Sequence, residues 1–561
     1  MNSNKFIPIL GLLILLILAI GSISASEVDS DSIIGDSDAN IDLTATQTAV
    51  NEIDDSAIDD DVTAQDIIAD TQDDEKLNDD VNSMGDVEKE ADVENSLGAS
   101  QDSEILASTI QFKEKNYLTY FDAKGNIVNG KLNPGDTLDF SGKFNNKNFT
   151  INMPLIITCT DGTVNLNNCA FKFINGSDGS NVSNLKINNS AIQKPLFSAS
   201  DVSNITFQNN NLFSSGRESY PMYFGRVNGL NILDNTLQTT GFIKGWGHPS
   251  TMVLHDANAC KIYRNTVITN DSNGIYFTGY TPGSSMDLPE DAESYSNYIV
   301  NNTVYSIRSL PSSFVYAIQV MSSNNVIMGN KVFNTYRGIS TTGVNNKIIG
   351  NNISNIHGTY YSDSNTEDGG DYAIITGSNT LVKDNIISNC MFNGKKAAIR
   401  VGKESNVTNN VLINITGMGA YLDGSDIIFS YNDLNVSGYG VYIYGEVEHI
   451  AISNNGIFSQ NQSNVKLEKQ SSRKFPNHIS IVNNILHNLG VIPINMPHES
   501  TNVTVEPNEI IIDGIIDGGT DDESVHIIME SNFNKFFSAT GNLENWINEN
   551  VEFSLEDAYK I

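Results

Sequence analysis

Four cysteines in 561 residues are too few for a disulfide framework, and no two of them have zinc-ligand spacing. Only Cys159 and Cys169 lie close enough in the chain to bridge neighbouring segments. Thirteen prolines and two tryptophans are also few, and no stretch has the apolar spacing of an amphipathic helix, which excludes a helical bundle. Basic residues are scarce, 32 Lys plus Arg against 67 Asp plus Glu, for a net charge of −35. That balance excludes nucleic acid as a partner. Beyond Phe6 to Ile20 there is no long apolar run, so nothing after the N-terminus spans a membrane. Stability must come from core burial and continuous backbone hydrogen bonding.

Residues 1–26 have the form of a secretory signal peptide: Lys5, the run Phe6 to Ile20, then small residues at Ser24, Ala25 and Ser26. An extracellular or cell-surface location is expected from it. Residues 27–108 hold 26 acidic residues against Lys76 and Lys89, with no aromatic residue. So charged a segment buries too little apolar surface to offset its ordering entropy, and it reads as a disordered acidic linker. Residues 109–180 turn globular in composition and are expected to cap the open end of a repeat domain and form its first coils. Gly125 to Lys131 matches a phosphate-binding GxxxxGK by chance, because Leu132 stands where Ser or Thr would hold the metal.

The organising feature is a repeat over residues 181–512. Ile427, Phe429, Asn432 and Leu434 return as Ile450, Ile452, Asn455 and Ile457, with a short strand Val441-Tyr442-Ile443 between them. An Asn recurs at 210, 235, 265, 302, 330, 351, 385, 410, 432, 455, 484 and 508. An aliphatic residue generally precedes it by three positions (Ile232, Ile262, Ile299) and another comes two positions later (Leu237, Val267, Val304). Short strands at a period of 20 to 50 residues specify a solenoid. The fold class is all-β, a single-stranded right-handed parallel β-helix, about 60 Å long for a dozen coils. Each recurring Asn is expected to take the left-handed corner conformation and to form an amide ladder from coil to coil. Residues 513–561 restart the module opening: Asn532-Phe533, Phe536-Phe537 and Gly541-Asn542-Leu543 reproduce Asn116-Tyr117, Tyr120-Phe121 and Gly125-Asn126-Ile127 at an offset of 416. They form a terminal half-module or the start of a longer array.

In each coil's second strand the middle residue is expected to face outward, giving a column: Tyr223, Val253, Tyr276, Gln319, Ser340, Ile375, Arg400, Tyr421, Tyr442, Lys466 and Pro493. Tyrosine presents an apolar face and a hydroxyl to a sugar. Tyr223, Tyr276, Arg400, Tyr421, Tyr442 and Lys466 are therefore the candidate glycan-binding residues. For catalysis the candidates are fewer: His255-Asp256, Arg264, and Arg400 with Lys395 and Lys396, with Arg400 and Asp371 as the low-ranked catalytic pair. The acidic insertions Tyr280 to Ser296 and His357 to Asp371 carry Asp287, Glu290, Asp291, Asp363, Glu367, Asp368 and Asp371. These admit calcium but lack calcium-loop spacing and read first as solvated faces, so no cofactor is assigned.

These repeats resemble the pectate-lyase-like β-helix superfamily. More narrowly, signal peptide, acidic spacer, β-helix coils and a module-opening segment like Thr109 to Phe144 resemble the adhesin-like surface proteins of methanogenic archaea. The resemblance implies a non-catalytic adhesion or glycan-binding role, with extracellular glycans or neighbouring cell surfaces as partners. The alternatives are a calcium-assisted polysaccharide lyase or epimerase, and a structural envelope spacer. The NTD, paired-Asp, GHG and RIK motifs of the polygalacturonase-like members are missing (Gly247-His248 is succeeded by Pro249), which removes that hydrolysis.

Overall fold

The computed structural model describes residues 107–512, apart from 191–194, 217–218, 241–249, 271, 279–293, 314, 360–368, 472–473, 490, 498–499 and 506, and the backbone of 525–528 and 536–539. The signal-peptide and linker expectations, and most of the terminal repeat, lie outside the described residues.

Each coil contributes one strand to each of three parallel faces. Ile427–Ser430 lies on face 1, Asp433–Val436 on face 2 and Val441–Tyr444 on face 3, and Glu448–Ser453 returns to face 1. Face 1 is a 15-stranded sheet beginning with Thr109–Phe112. Faces 2 and 3 form one 28-stranded sheet, because the 16-residue strand Ile386–Val401 turns the corner and pairs on both. The register matches the repeat: Ile427 pairs with Ile450, Phe429 with Ile452 and Leu434 with Ile457. This is a parallel β-solenoid. Among the described residues no helix is long and apolar enough to cross a membrane.

The interior is a stack of single-residue columns. Ile232, Ile262, Ile299, Ile327, Ile348, Val382 and Val407 are wholly buried from face 1, and Leu237, Val267, Val304, Val332 and Ile353 from face 2. An aromatic cluster closes the N-terminal end. Phe112, Phe121, Phe140, Phe144 and Phe149 are fully buried, with Tyr117, on the short helical turn Tyr117–Tyr120, stacked 5.7 Å from Phe121. Gly125 is required here, because a Cβ would meet the Asn148 carbonyl oxygen at 2.4 Å.

The corner between faces 1 and 2 holds the amide ladder. In a typical rung, Asn410 donates from Nδ2 to Oδ1 of Asn432 (2.9 Å) and to the Val382 carbonyl (3.0 Å), and its backbone N–H donates to the same Oδ1 (2.9 Å). The pattern runs from Asn210 to Asn508 with every rung buried. Buried amides are stable only when satisfied, and stacking supplies a partner for each. One expectation is corrected. The ladder Asn does not take the left-handed conformation; the residue before it does. Asn209, Asp234, Arg264, Asn301, Gly329, Gly350, Asp384, Asn409, Tyr431, Asn454 and Asn483 have φ between 54° and 63°. The ladder residue must aim its amide along the stack, so its neighbour makes the bend.

A second left-handed column marks the corner between faces 3 and 1, at Asn204, Gly229, Ala259, Ser296, Asn324, Asn345, Asn379, Glu404, Asp426, His449, His478 and Asn502. A short second ladder, Asn297 to Asn325 to Asn346, lies beside it. Cys159 and Cys169 are not bridged; all four cysteines are buried thiols outside any disulfide. The two described strands of the terminal segment, Val525–Ile528 and Phe536–Ala539, pair antiparallel, whereas the matching Tyr120 ends a helical turn.

Candidate functional site

The middle residues of face 3 align one above another from Ser198 through Tyr223, Val253, Tyr276, Gln319, Ser340, Ile375, Arg400, Tyr421, Tyr442 and Lys466. The column ends on Asn495 rather than Pro493: Lys466 pairs with Asn495, and the Pro493 carbonyl accepts the Val465 N–H just outside the strand. Tyr223, Tyr276, Arg400 and Lys466 are half-buried, but Tyr421 and Tyr442 are only 6% and 2% exposed, which corrects the expectation of an open aromatic surface. Both point away from the solenoid core and are roofed by an outer layer. With Ala397 and Met418 they form a separate apolar cluster against which Tyr439 and Tyr444 pack. Burial pushes the Tyr421 hydroxyl up to about 12, and burial together with Glu468 raises Tyr442 further.

The outer layer exists because Ile386–Val401 carries extra residues at its bend, where Asn393-Gly394 turns and sets Lys395 and Lys396 above the sheet. Lys395 Nζ lies 3.9 Å over the Tyr444 ring and 3.4 Å from Glu468. Lys396 Nζ is 3.0 Å from the Tyr336 hydroxyl and 3.3 Å from Asp371 Oδ1. Arg337 donates from Nε to Asp371 Oδ2 (2.6 Å) and from Nη1 to the Ser313 carbonyl (2.6 Å), with its guanidinium 4.4 Å over the Tyr316 ring. Arg400 makes a two-pronged contact to Asp423 (2.5 and 3.3 Å), donates to the Tyr372 hydroxyl (3.1 Å), and lies 5.0 Å over Tyr421. Lys466 donates to Asn495 Oδ1 at 2.8 Å.

Among the described residues the result is a patch of five cations, Arg337, Lys395, Lys396, Arg400 and Lys466, with three carboxylates, Asp371, Asp423 and Glu468. Cations thus outnumber carboxylates among the described residues of this patch, on a chain that is strongly acidic as a whole. Cations stacked on tyrosine keep their charge while one ring face is desolvated. Burial opposes the charge on Arg400, but the hydrogen bond and charge of Asp423 outweigh it and its pKa is raised; Lys396 is raised too, its burial outweighed by Tyr336 and Asp371.

Arg400 and Asp371 sit in the same patch in different ion pairs, Arg400 with Asp423 and Asp371 with Arg337 and Lys396. The two cations that bracket this carboxylate repel a third, so Asp371 as placed is a poor calcium ligand. Asp287, Glu290, Asp291, Asp363, Glu367 and Asp368 lie outside the described residues. Arg264 is not on this face. It belongs to the corner column, clasping Asp234 through two bonds of 2.7 and 2.9 Å. Asp256 takes a left-handed turn, and His255 is buried between Tyr223 (5.4 Å) and Tyr276 (6.4 Å) with no hydrogen-bond partner at Nδ1 among the described residues. Burial lowers the His255 pKa to about 4.

Sequence reasoning missed Tyr316, Tyr336, Arg337, Tyr372, Asp423, Tyr439, Tyr444 and Glu468. All flank the column in sequence. Aligning the strands in register would have shown Arg337 stacked on Tyr316, its partner residue one coil earlier.

No protein-family model and no curated sequence matches the chain. Among solved structures, the surface adhesin PfbA of Streptococcus pneumoniae is similar at 15% identity, over 65% of this chain and 94% of that one, with a TM-score of 0.36. A mannuronic-acid-specific family 6 polysaccharide lyase from human gut microbiota is similar at 12% identity, over 74% and 89%, TM-score 0.34. The periplasmic alginate epimerase AlgG is similar at 12% identity, over 65% and 78%, TM-score 0.34. At that level of likeness, function is argued from this chain's own side chains.

Proposed function

We propose that this is a secreted, surface-displayed β-helix protein of adhesin type that binds acidic extracellular glycans through face 3 without catalysing their conversion. The observation that carries this is the patch from Tyr316 to Lys466, where five cations and, among the described residues, three carboxylates come together and four of the five cations lie over tyrosine rings. Its chemistry matches a uronate or sulfate ester: guanidinium and ammonium groups for the anion, ring faces for the sugar. The ion pairing argues against turnover. A base that abstracts a sugar proton near neutrality needs a depressed pKa, and Arg400 and Lys396 are moved the other way.

The decisive experiment is titration of the protein with a polyuronate and with a neutral polysaccharide of equal length. Binding is expected for the polyuronate alone, falling with salt. Replacing Lys395, Lys396 and Lys466 together by Ala should weaken it at least about tenfold, beyond any single change. Equal binding of both polymers would overturn the proposal, and no binding of either would leave the envelope-spacer reading. A lyase or epimerase is the second reading, favoured by one observation: His255, neutral and between two tyrosines, with an Nδ1 that has no hydrogen-bond partner among the described residues, has the form of a general base. Unsaturated-sugar release or C5 inversion that disappears in His255→Gln would establish it.

A further inference from the structure

The corner column between faces 3 and 1 is built for residues that tolerate a left-handed backbone, and Asn is its commonest described occupant. Four successive coils hold other residues: Glu404, and then Asp426, His449 and His478, these three at φ 59°, 57° and 51°. The coil stacking brings these side chains together. The two imidazole rings lie 5.2 Å apart between centroids, Asp426 Oδ1 is 3.3 Å from His449 Nδ1, and Glu448 Oε2 is 3.8 Å from His478 Nδ1. Glu448, His449 and His478 each offer one ligand atom, and the three lie within 4.8 Å of one another.

We infer that Glu448, His449 and His478 form a surface site for a borderline divalent metal of the zinc class, with Asp426 as the positioning carboxylate. Two imidazoles and one carboxylate make a donor set that zinc, nickel and copper accept, whereas calcium and magnesium prefer oxygen donors throughout. A carboxylate beside a ligating histidine fixes its ring and raises its basicity, which is the place Asp426 occupies at His449. Three protein ligands leave a position open. Glu448 also lines a cleft of about 260 Å³ with Glu446, Phe475, Pro476, Asn477 and Thr501, so an external donor can reach the rim of the site. Because the ligands come from two consecutive coils and Asp426 from the coil before, the metal would tie the C-terminal coils together. This site is independent of the cationic patch on face 3.

Zn2+ alone, titrated calorimetrically into the intact protein, is expected to show one saturable site that calcium and magnesium do not fill. His449→Asn and His478→Asn are the informative variants, since Asn occupies this column natively at Asn345, Asn379 and Asn502 and keeps the left-handed backbone. Each should abolish the saturable phase while leaving denaturation in chelator unchanged. Asp426→Asn should weaken zinc binding about 10- to 100-fold and keep the site. Hydrogen exchange of residues 426–482 should slow on adding zinc in the wild type and not in His449→Asn. Absence of a saturable phase in the wild type, or equal zinc affinity in the wild type and both histidine variants, would overturn the assignment.

Discussion

Replacing Asn432 by Ala tests whether the ladder Asn is there for its amide or for the bend. Its side chain makes four hydrogen bonds: Oδ1 accepts the backbone N–H and Nδ2 of Asn410 (both 2.9 Å), and Nδ2 donates to the Val407 carbonyl (3.0 Å) and Asn455 Oδ1 (3.1 Å). It is 1% exposed, so water does not replace them. At about 1 kcal/mol per bond, and more for each partner left unsatisfied, the loss is on the order of 4 kcal/mol. Asn432→Gly should cost at least as much, although Gly tolerates a left-handed bend best. The neighbouring Tyr431, at φ 56° and largely exposed, carries the bend. Tyr431→Asn should therefore be neutral or stabilise by up to about 1 kcal/mol. Urea unfolding monitored by far-UV circular dichroism gives the global shift, and hydrogen exchange over residues 405–460 locates it, since solenoid stability is a sum of neighbouring coils. The reasoning is refuted if Asn432→Ala stays within about 0.5 kcal/mol of wild type, the range of ordinary surface changes, or if Tyr431→Asn proves the more damaging.

Ile452 is wholly buried on face 1, so Ile452→Asp should destabilise by more than about 4 kcal/mol by placing an unpaired charge in the interior; soluble expression and the unfolding midpoint report it. Tyr442→Ser should cost on the order of 3 kcal/mol, because the ring is buried under the outer layer, and a change under about 0.5 kcal/mol would return Tyr442 to the open surface. His255 supplies a pH dependence. Its folded pKa of about 4 lies below the unfolded 6.5, so between those values the unfolded chain binds more protons. Stability from this group is thus present above pH 6.5 and is lost as pH falls toward 4, by up to about 3 kcal/mol. His255→Leu should flatten that part of the denaturation-versus-pH curve, and an unchanged slope would contradict the burial.

The period and the strand register were legible because each inner column holds one kind of residue at fixed offsets, as Ile427 over Ile450 and Leu434 over Ile457 show. The two roles at the corner were not separable where Asn fills both, as in Asn209-Asn210, Asn409-Asn410 and Asn454-Asn455. Pairs such as Arg264-Asn265, Gly350-Asn351 and Tyr431-Asn432 separate them: the second position is held for the amide, while the first accepts whatever tolerates the bend. The face 3 column was legible in direction but not in exposure. A side chain that points away from the solenoid core meets solvent only if nothing folds over it, and the extra residues around Lys395 have no repeat to place them. The histidine pair was missed for a related reason: His449 and His478 are 29 positions apart and meet only when the left-handed column is recognised.

The pairing within the cationic patch bears on how a glycan would bind it. Arg400 already holds Asp423 through two contacts, and Arg337 and Lys396 share Asp371, so an incoming carboxylate competes with a protein carboxylate instead of meeting a bare cation. Each exchange gains little, because one charge-assisted contact replaces another. On the proposed glycan-binding reading, the tyrosine faces at Tyr316, Tyr439 and Tyr444 and the cations in excess among the described residues would provide the net affinity. Such a surface binds weakly at any one sugar and strongly only along a polymer that engages several coils at once. A rigid column of repeats with fixed spacing suits that mode, and a short oligosaccharide should bind far more weakly than the chain from which it was cut.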